Sequence, residues 1–255
     1  MIKVVMCGAL GRMGTKIGGL VVDSPDLELV GGVDIKSGSF YGVEVVESSN
    51  IDNFLKEKKP DVLIDFTVAS AAVENIKAAS RNGVAVIVGT TGFSEAQAEE
   101  ISNAIEGKIP AVISSNFSLG VNIFWKLVRE AAKQLKDYDI EVIEAHHHFK
   151  KDAPSGTART IIDIIKEEVG ERDEMYGRKG MVGERGNEIG VHVIRGGDII
   201  GDHTVLFAGN DEVIELTHRA YDRTVFAHGV IRSASWIYNK QPGVYSMEDV
   251  MGFKE

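Results

Sequence analysis

Three histidines, two lysines and a serine in front of a helical pattern fall within Glu144-Ala145-His146-His147-His148-Phe149-Lys150-Lys151-Asp152-Ala153-Pro154-Ser155-Gly156-Thr157. Imidazole titrates closer to neutrality than any other side chain, so a histidine here suits proton transfer. Ala158, Ile161, Ile162, Ile165 and Val169 then recur at helical spacing, and Gly170 supplies a stop. A helix start leaves backbone N–H groups unpaired and carries partial positive charge. Ser155, Gly156 and Thr157 therefore form a candidate cradle for a carboxylate or phosphate, with His147, Lys150 and Lys151 adding charge beside it. Taken singly, Ser155 reads as an ordinary cap and Lys150 as a solvated surface lysine. The density of donors, in a chain whose formal charge is −10, favours a site. Adjacent side chains on a strand point to opposite faces, so three consecutive histidines do not converge on one ion, and no metal is expected.

The elements that must position this stretch can be read from periodicity. Asp139 to Ala145 alternates like a strand and leads into the histidines, after an amphipathic helix from Val121 to Leu135. Beyond the Ser155 helix, Arg172 to Asn187 reads as loop. Ile189 to Arg195, Thr204 to Ala208 and Val213 to Thr217 read as strands, with a loop from Gly196 to His203. Helix and strand do not alternate regularly here, which implies an α+β arrangement.

The first half has a different texture. Ile2 to Cys7 is a strand-like apolar run, followed by Gly8-Ala9-Leu10-Gly11-Arg12-Met13-Gly14, a helix through Val22, a strand from Leu27 to Val33, and Asp34. Glycines at such a turn allow a tight bend, close approach to a pyrophosphate and close helix–strand packing. An acid 20 residues past Gly14 is placed to accept from a ribose. Asp34 favours NAD, whereas Lys36 would permit NADP. Ile35 to Ser39 reads as loop. Further strands from Val62 to Phe66, Val84 to Val88 and Ile109 to Ile113 alternate with helices, one from Ser70 to Asn82 and one opened by a Ser94–Gln97 capping box. This is the pattern of an α/β, doubly wound parallel sheet, whose ligands bind beyond the carboxyl ends of its strands. Phe66, Gly89, Thr90, Thr91 and Asn116 fall at such ends. Thr224 to Tyr238 reads as a last long helix, placed to return to the first domain.

Length and composition, 255 residues with 44% hydrophobic and 26% charged, fit a globular chain of one or two domains. The acidic balance and the want of a long basic face disfavour a nucleic-acid partner, and none is expected. No leader pattern or membrane-length apolar run is read, so no membrane partner is expected. Cys7, the lone cysteine, is expected buried and inert, as suits the cytoplasm.

At these residues the chain resembles the 4-hydroxy-tetrahydrodipicolinate (dihydrodipicolinate) reductase family. The resemblance rests on Glu144-Ala145-His146-His147 with Lys150 and Asp152 to Thr157, on Gly8 to Gly14, Ile64 to Thr67, Gly89 to Phe93 and Asn116 to Asn122, and on Gly197 to Thr204. The family's centre often reads His-His-Arg-His-Lys, and this chain departs from it at His148 and Phe149. The resemblance implies a Rossmann domain of residues 1–118 completed by the tail 228–255. It also implies a substrate-binding and tetramerisation domain of residues 119–227 built on a mixed sheet. The implied reaction is NADH- or NADPH-dependent reduction of a cyclic dicarboxylate to tetrahydrodipicolinate in lysine biosynthesis by the diaminopimelate route, in a cytoplasmic homotetramer. Catalysis would fall to His146 and Lys150, and substrate binding to His147, Ser155, Gly156 and Thr157. Cofactor binding would fall to Gly8, Ala9, Leu10, Gly11, Arg12, Met13, Asp34, Phe66, Gly89, Thr90, Thr91, Ser115, Asn116, Phe117 and Ser118. Closure of the two domains would exclude water. Another NAD(P)-dependent dehydrogenase of a small carboxylate would share the first domain without using both the histidines and the cradle. A non-catalytic dinucleotide sensor would have no need of His146 and Lys150.

Overall fold

A computed structural model describes residues 1–253. In chain order the elements are β1 (Ile2–Cys7), α1 (Arg12–Asp23), β2 (Leu27–Asp34), β3 (Gly38–Phe40), β4 (Val43–Glu47), α2 (Ile51–Lys58), β5 (Val62–Asp65), α3 (Ala69–Arg81), β6 (Ala85–Val88), α4 (Glu95–Ile105), β7 (Pro110–Ile113), α5 (Leu119–Gln134), β8 (Asp139–His146), α6 (Gly156–Val169), β9 (Glu174–Tyr176), β10 (Ile189–Arg195), β11 (Gly201–Ala208), β12 (Val213–Ala220), α7 (Thr224–Ile237), β13 (Gly243–Tyr245) and α8 (Met247–Met251). They divide into two compact units, Met1–Leu119 with the chain from Thr224 onward, and Gly120–Arg223. The return falls at Thr224, where α7 begins, rather than at position 228.

The first unit is an eight-stranded sheet ordered β13-β7-β6-β5-β1-β2-β4-β3, parallel except where β3 runs antiparallel to β4. Successive side chains of a strand face opposite ways, and both faces here are covered. Val4 and Met6 of β1 enter one core with α1, α7 and α8, while Val5 and Cys7 enter the other with α2, α3 and α4. Burying both faces is why these strands read as continuous apolar runs. Cys7 is fully buried, and burial, with the charges of Asp65 and Asp34, raises its thiol well above the ordinary range. The capping box on α4 is formed, Ser94 Oγ accepting from the Gln97 N–H and the Gln97 side chain accepting from the Ser94 N–H.

The second unit is a five-stranded mixed sheet ordered β12-β11-β8-β10-β9, with β8, β10 and β9 parallel and β11 antiparallel to both neighbours. Phe124 and Val128 of α5 and Ile161, Ile162 and Ile165 of α6 cover it, meeting Ile140, Val142, Val205 and Phe207. Two stretches expected to be loop carry strand. Glu174–Tyr176 pairs with β10 inside 172–187, and β11 starts at Gly201 rather than Thr204. In the first unit, Gly38 and Ser39, expected within a loop, belong to β3.

Candidate active site

In the second unit β8 ends at His146, and α6 starts ten residues later behind Ser155. Ser155 is the N-cap: its Oγ accepts from the Ala158 N–H at 3.2 Å. Its own N–H donates to Glu144 Oε1 at 3.0 Å, which fastens the helix start to the strand. Glu144 and His146 share a face of β8, two residues apart. His146 Nδ1 lies 2.5 Å from Glu144 Oε2. Arg195, at the end of β10, clasps the same carboxylate, Nη1 to Oε2 and Nη2 to Oε1, each at 2.8 Å. Burial alone would raise the Glu144 pKa. Hydrogen bonds from His146, Arg195 and the Ser155 amide outweigh it and bring the pKa down to about 2.

His203 of β11 completes the cluster. It sits opposite Glu144 in the antiparallel register, edge-on to the His146 ring at 5.2 Å between centroids, with Nε2 at 3.2 Å from Ser155 Oγ. Its Nδ1 is buried with no hydrogen-bond partner among the described residues. Burial first, then the neighbouring His146, lowers its pKa to about 3, so the ring is neutral. A Cβ on Gly156 would meet nothing within 4 Å, which leaves the start of α6 open on that side. Lys150 pairs with Asp152 at 2.8 Å on the loop after β8. His148 is tied to the Gly197 carbonyl by its backbone N–H, with Nδ1 also 3.2 Å from that oxygen, and its ring lies tilted against that of Phe149, 3.7 Å between centroids. His147 is half-buried, its ring centroid 6.4 Å from that of Phe149. The structure thus brings His146 and Ser155 together through Glu144, and puts His147 and Lys150 on the adjoining loop.

The pKa of Glu144 and of His203 both fall on folding, so both stabilise the folded state above their ordinary values and lose that contribution as pH drops. For His203 the window runs from 6.5 down to about 3, because the unfolded ring takes up a proton that the folded one refuses. For Glu144 it runs from 4.5 down to about 2. The urea midpoint, followed by circular dichroism at stepped pH, should fall below pH 6.5, and His203→Gln should flatten the upper part of that fall. An unchanged slope in the variant would remove His203 as its source.

In the first unit Gly8, Leu10, Gly11, Asp34, Lys36, Phe66 and Thr67 help line a cavity of about 470 Å³. A groove of about 400 Å³ shares Gly11, Phe66 and Thr67 with it and extends over Arg12, Met13, Gly89, Thr90 and Thr91. Gly8 holds the left-handed φ of +79° that the turn requires. The N-cap of α1 is Gly11, with no side-chain cap and no acid in the first turn, so that helix start is open to an anion. Asp34 accepts from Leu10 N–H at 2.8 Å and from Ile35 N–H at 2.7 Å, holding the glycine turn against the end of β2. The residues present therefore fit a dinucleotide.

Several of the residues expected to meet the cofactor also have structural engagements in the first unit. Ala9 and Phe117 are core side chains, 0% and 2% exposed. Thr90 spends its hydroxyl on Asp65 Oδ1 at 2.7 Å and accepts the Thr67 N–H at 2.9 Å. Ser115, Asn116, Phe117 and Ser118 form the turn after β7 and line neither cavity. Sequence reading gave no role to Asp65, Glu144, Arg195 or His203. The period-two burial from Gly201 to Phe207, and the Glu144–His146 spacing, were the available signals for two of them.

An open glycine turn between β1 and α1, with an acid at the end of β2, defines a Rossmann-type dinucleotide-binding chain. The second unit adds a mixed sheet carrying a carboxylate–histidine pair. Residues 2–117 match the family described as dihydrodipicolinate reductase, N-terminus, and residues 120–251 its C-terminus. The chain belongs to the dihydrodipicolinate reductase family. It is 67% identical to the 4-hydroxy-tetrahydrodipicolinate reductase of Methanoculleus marisnigri, over 99% of this chain and 100% of that one. Identity to the enzyme of that name from Methanoregula boonei is 65% over the full length of both. The dipicolinate-bound dihydrodipicolinate reductase of Paenisporosarcina sp. TG-14 superposes with a TM-score of 0.79 at 27% identity, covering 96% of this chain and 97% of that one.

Proposed function

We propose that this chain reduces 4-hydroxy-tetrahydrodipicolinate to tetrahydrodipicolinate, consuming one NADH or NADPH and one proton and releasing the 4-hydroxyl as water, in the diaminopimelate route to lysine. The observation that carries the reading is the Glu144–His146 pair beside the Ser155-capped start of α6. It joins a titratable ring to a helix terminus able to hold a carboxylate.

Bound reduced nicotinamide supplies the hydride. His146 delivers a proton to the reduced ring system, with Lys150 as second donor or electrostatic stabiliser once its pairing with Asp152 opens. The amides of Gly156 and Thr157, with His147 and Ser155, hold a substrate carboxylate. Gly8, Gly11, Arg12 and Met13 line the pyrophosphate, Asp34 takes the adenosine ribose, and Phe66, Gly89 and Thr91 face the nicotinamide half. The second unit serves substrate binding and self-association into a tetramer, and the reaction runs in the cytoplasm. No helix among the described residues is long and apolar enough to cross a membrane.

The test is oxidation of NADH and, separately, NADPH, followed by absorbance, with substrate generated from pyruvate and aspartate semialdehyde by the preceding synthase. Oxidation that depends on the synthase product supports the reading, and none from folded protein removes it. Asp34 has a second duty as acceptor for Leu10 N–H, so two variants are needed. Asp34→Asn keeps an acceptor oxygen and should weaken NADH more than NADPH, by about tenfold for a lost charged hydrogen bond. Asp34→Ala should weaken both further. Equal weakening by Asp34→Asn in titrations of each cofactor would take the ribose away from Asp34.

A further inference from the structure

Glu144 is fully covered, and both oxygens are engaged from three directions: by His146 on its own strand, Arg195 from β10 and the Ser155 amide ahead of α6. Arg195 Nη2 also donates to the Asp152 carbonyl at 2.6 Å. Neither Glu144 nor Arg195 has a task in the reaction described above. A buried carboxylate is costly unless it is paired, and removing either partner strands a charge.

An ionised carboxylate only accepts hydrogen bonds, so His146 Nδ1, 2.5 Å from Oε2, must carry the proton. The neutral ring then has its lone pair on Nε2. That atom borders Gly201, where a Cβ would stand 3.1 Å away, so the missing side chain leaves room beside it. The Arg195 fork engages both carboxylate oxygens and denies Glu144 the rotation that would release the ring. The other titratable or charged groups near His146 are neutral His203 from β11 and the Lys150–Asp152 pair on the following loop. The acceptor that Nδ1 meets is Glu144 Oε2.

We propose that Glu144, clamped by Arg195, is a positioning residue that fixes His146 in the Nδ1–H tautomer and makes Nε2 the nitrogen that exchanges protons with substrate. The role in turnover rests on the reading of His146 as proton donor. The tautomer does not, and it can be measured without substrate.

The first experiment is a long-range proton–nitrogen correlation spectrum of histidine-labelled wild-type protein at mildly alkaline pH, with His146 assigned by its loss in His146→Gln. A protonated Nδ1 and a bare Nε2 are expected. An Nε2–H ring, or an averaged mixture like that of free imidazole, overturns the proposal whatever the enzyme's activity. Glu144→Gln should then shift His146 toward Nε2–H and lower kcat on the order of 10²-fold, with KM within about threefold. A kcat loss with the tautomer unmoved, or no loss, also overturns it. If Glu144→Gln does not fold, the wild-type spectrum still decides. For the clamp, Arg195→Lys keeps the counter-charge and should retain about tenfold more kcat than Arg195→Ala. Equal losses in the two would remove Arg195 from the positioning role.

Discussion

His146→Gln lowers turnover by about 10²- to 10⁴-fold and leaves KM within about threefold, the span a positioned general acid contributes. In barrier terms this is roughly 3 to 5 kcal/mol. Glutamine is the informative replacement because its amide N–H can still donate to Glu144, where His146 Nδ1 now stands at 2.5 Å. The Arg195 and Ser155 bonds to that carboxylate then survive, and α6 keeps its attachment to β8. What disappears is the imidazole that passes the proton to the substrate in the proposed reaction. Substrate binding should change little, because the proposed carboxylate contacts lie at Gly156 and Thr157. Steady-state kinetics with synthase-generated substrate, beside a circular dichroism spectrum, decides the matter. Unchanged kcat removes His146 from acid–base chemistry, and a large KM effect with kcat intact would make it a binding residue.

The same physical reasons explain what could be read from the chain and what could not. The β1 turn, α1, β2 and Asp34 were legible because glycine spacing, a buried strand and a placed acid are local patterns. The doubly wound sheet followed because strands covered on both faces must be apolar throughout. His146 and Ser155 were legible as residue types beside a helix start. Arg195 was not, because its carboxylate partner lies 51 residues away in sequence and is reached only through the parallel β8–β10 register. His203 was hidden by Gly196, Gly197 and Gly201, which punctuate the sequence like a loop although the last belongs to β11. The three-residue strands β3, β9 and β13 are too short to show a period.

A common device lies in the part that was missed. Asp65 at the end of β5 accepts from Thr67, Thr90 and Asn75, and so ties two strand-end loops of the first unit together. Glu144 does the same for β8, β10 and the start of α6 in the second. Each is a buried carboxylate whose acceptor sites are filled by one near neighbour and by donors farther along the chain. That is the condition under which a buried charge is tolerable, and it also holds loops to a fixed geometry. Single-sequence patterns register the acid but not its partners.

Gly14→Ala breaks dinucleotide binding and lowers the stability of the first unit. A Cβ at position 14 would lie 2.0 Å from the Gly8 carbonyl oxygen and 2.9 Å from that of Ala9, and both obstacles are backbone. Gly8 cannot retreat easily. Its N–H is bonded to Val33 at 2.8 Å, it holds a φ of +79°, and a Cβ built on it would already stand 2.6 Å from the Phe66 oxygen. The start of α1 must therefore move away from the turn, carrying off the amides that would face the pyrophosphate. Overpacking of this kind costs about 1–3 kcal/mol, and contact with rigid backbone puts this case at the upper end or beyond. The expected result is a melting midpoint lower by several degrees and an NADH Kd more than tenfold higher, read by calorimetry and by fluorescence titration. Gly38→Ala is the control: its Cβ would first meet Leu10 Cδ1 at 3.9 Å, an ordinary contact, so both quantities should stay put. The histidine correlation spectrum adds a second check, since the Glu144–His146 pair lies in the other unit and should keep its tautomer in Gly14→Ala. Cofactor affinity unchanged in Gly14→Ala would mean that the glycine turn does not hold the dinucleotide, and would leave the cavity beside Asp34 without its phosphate contact.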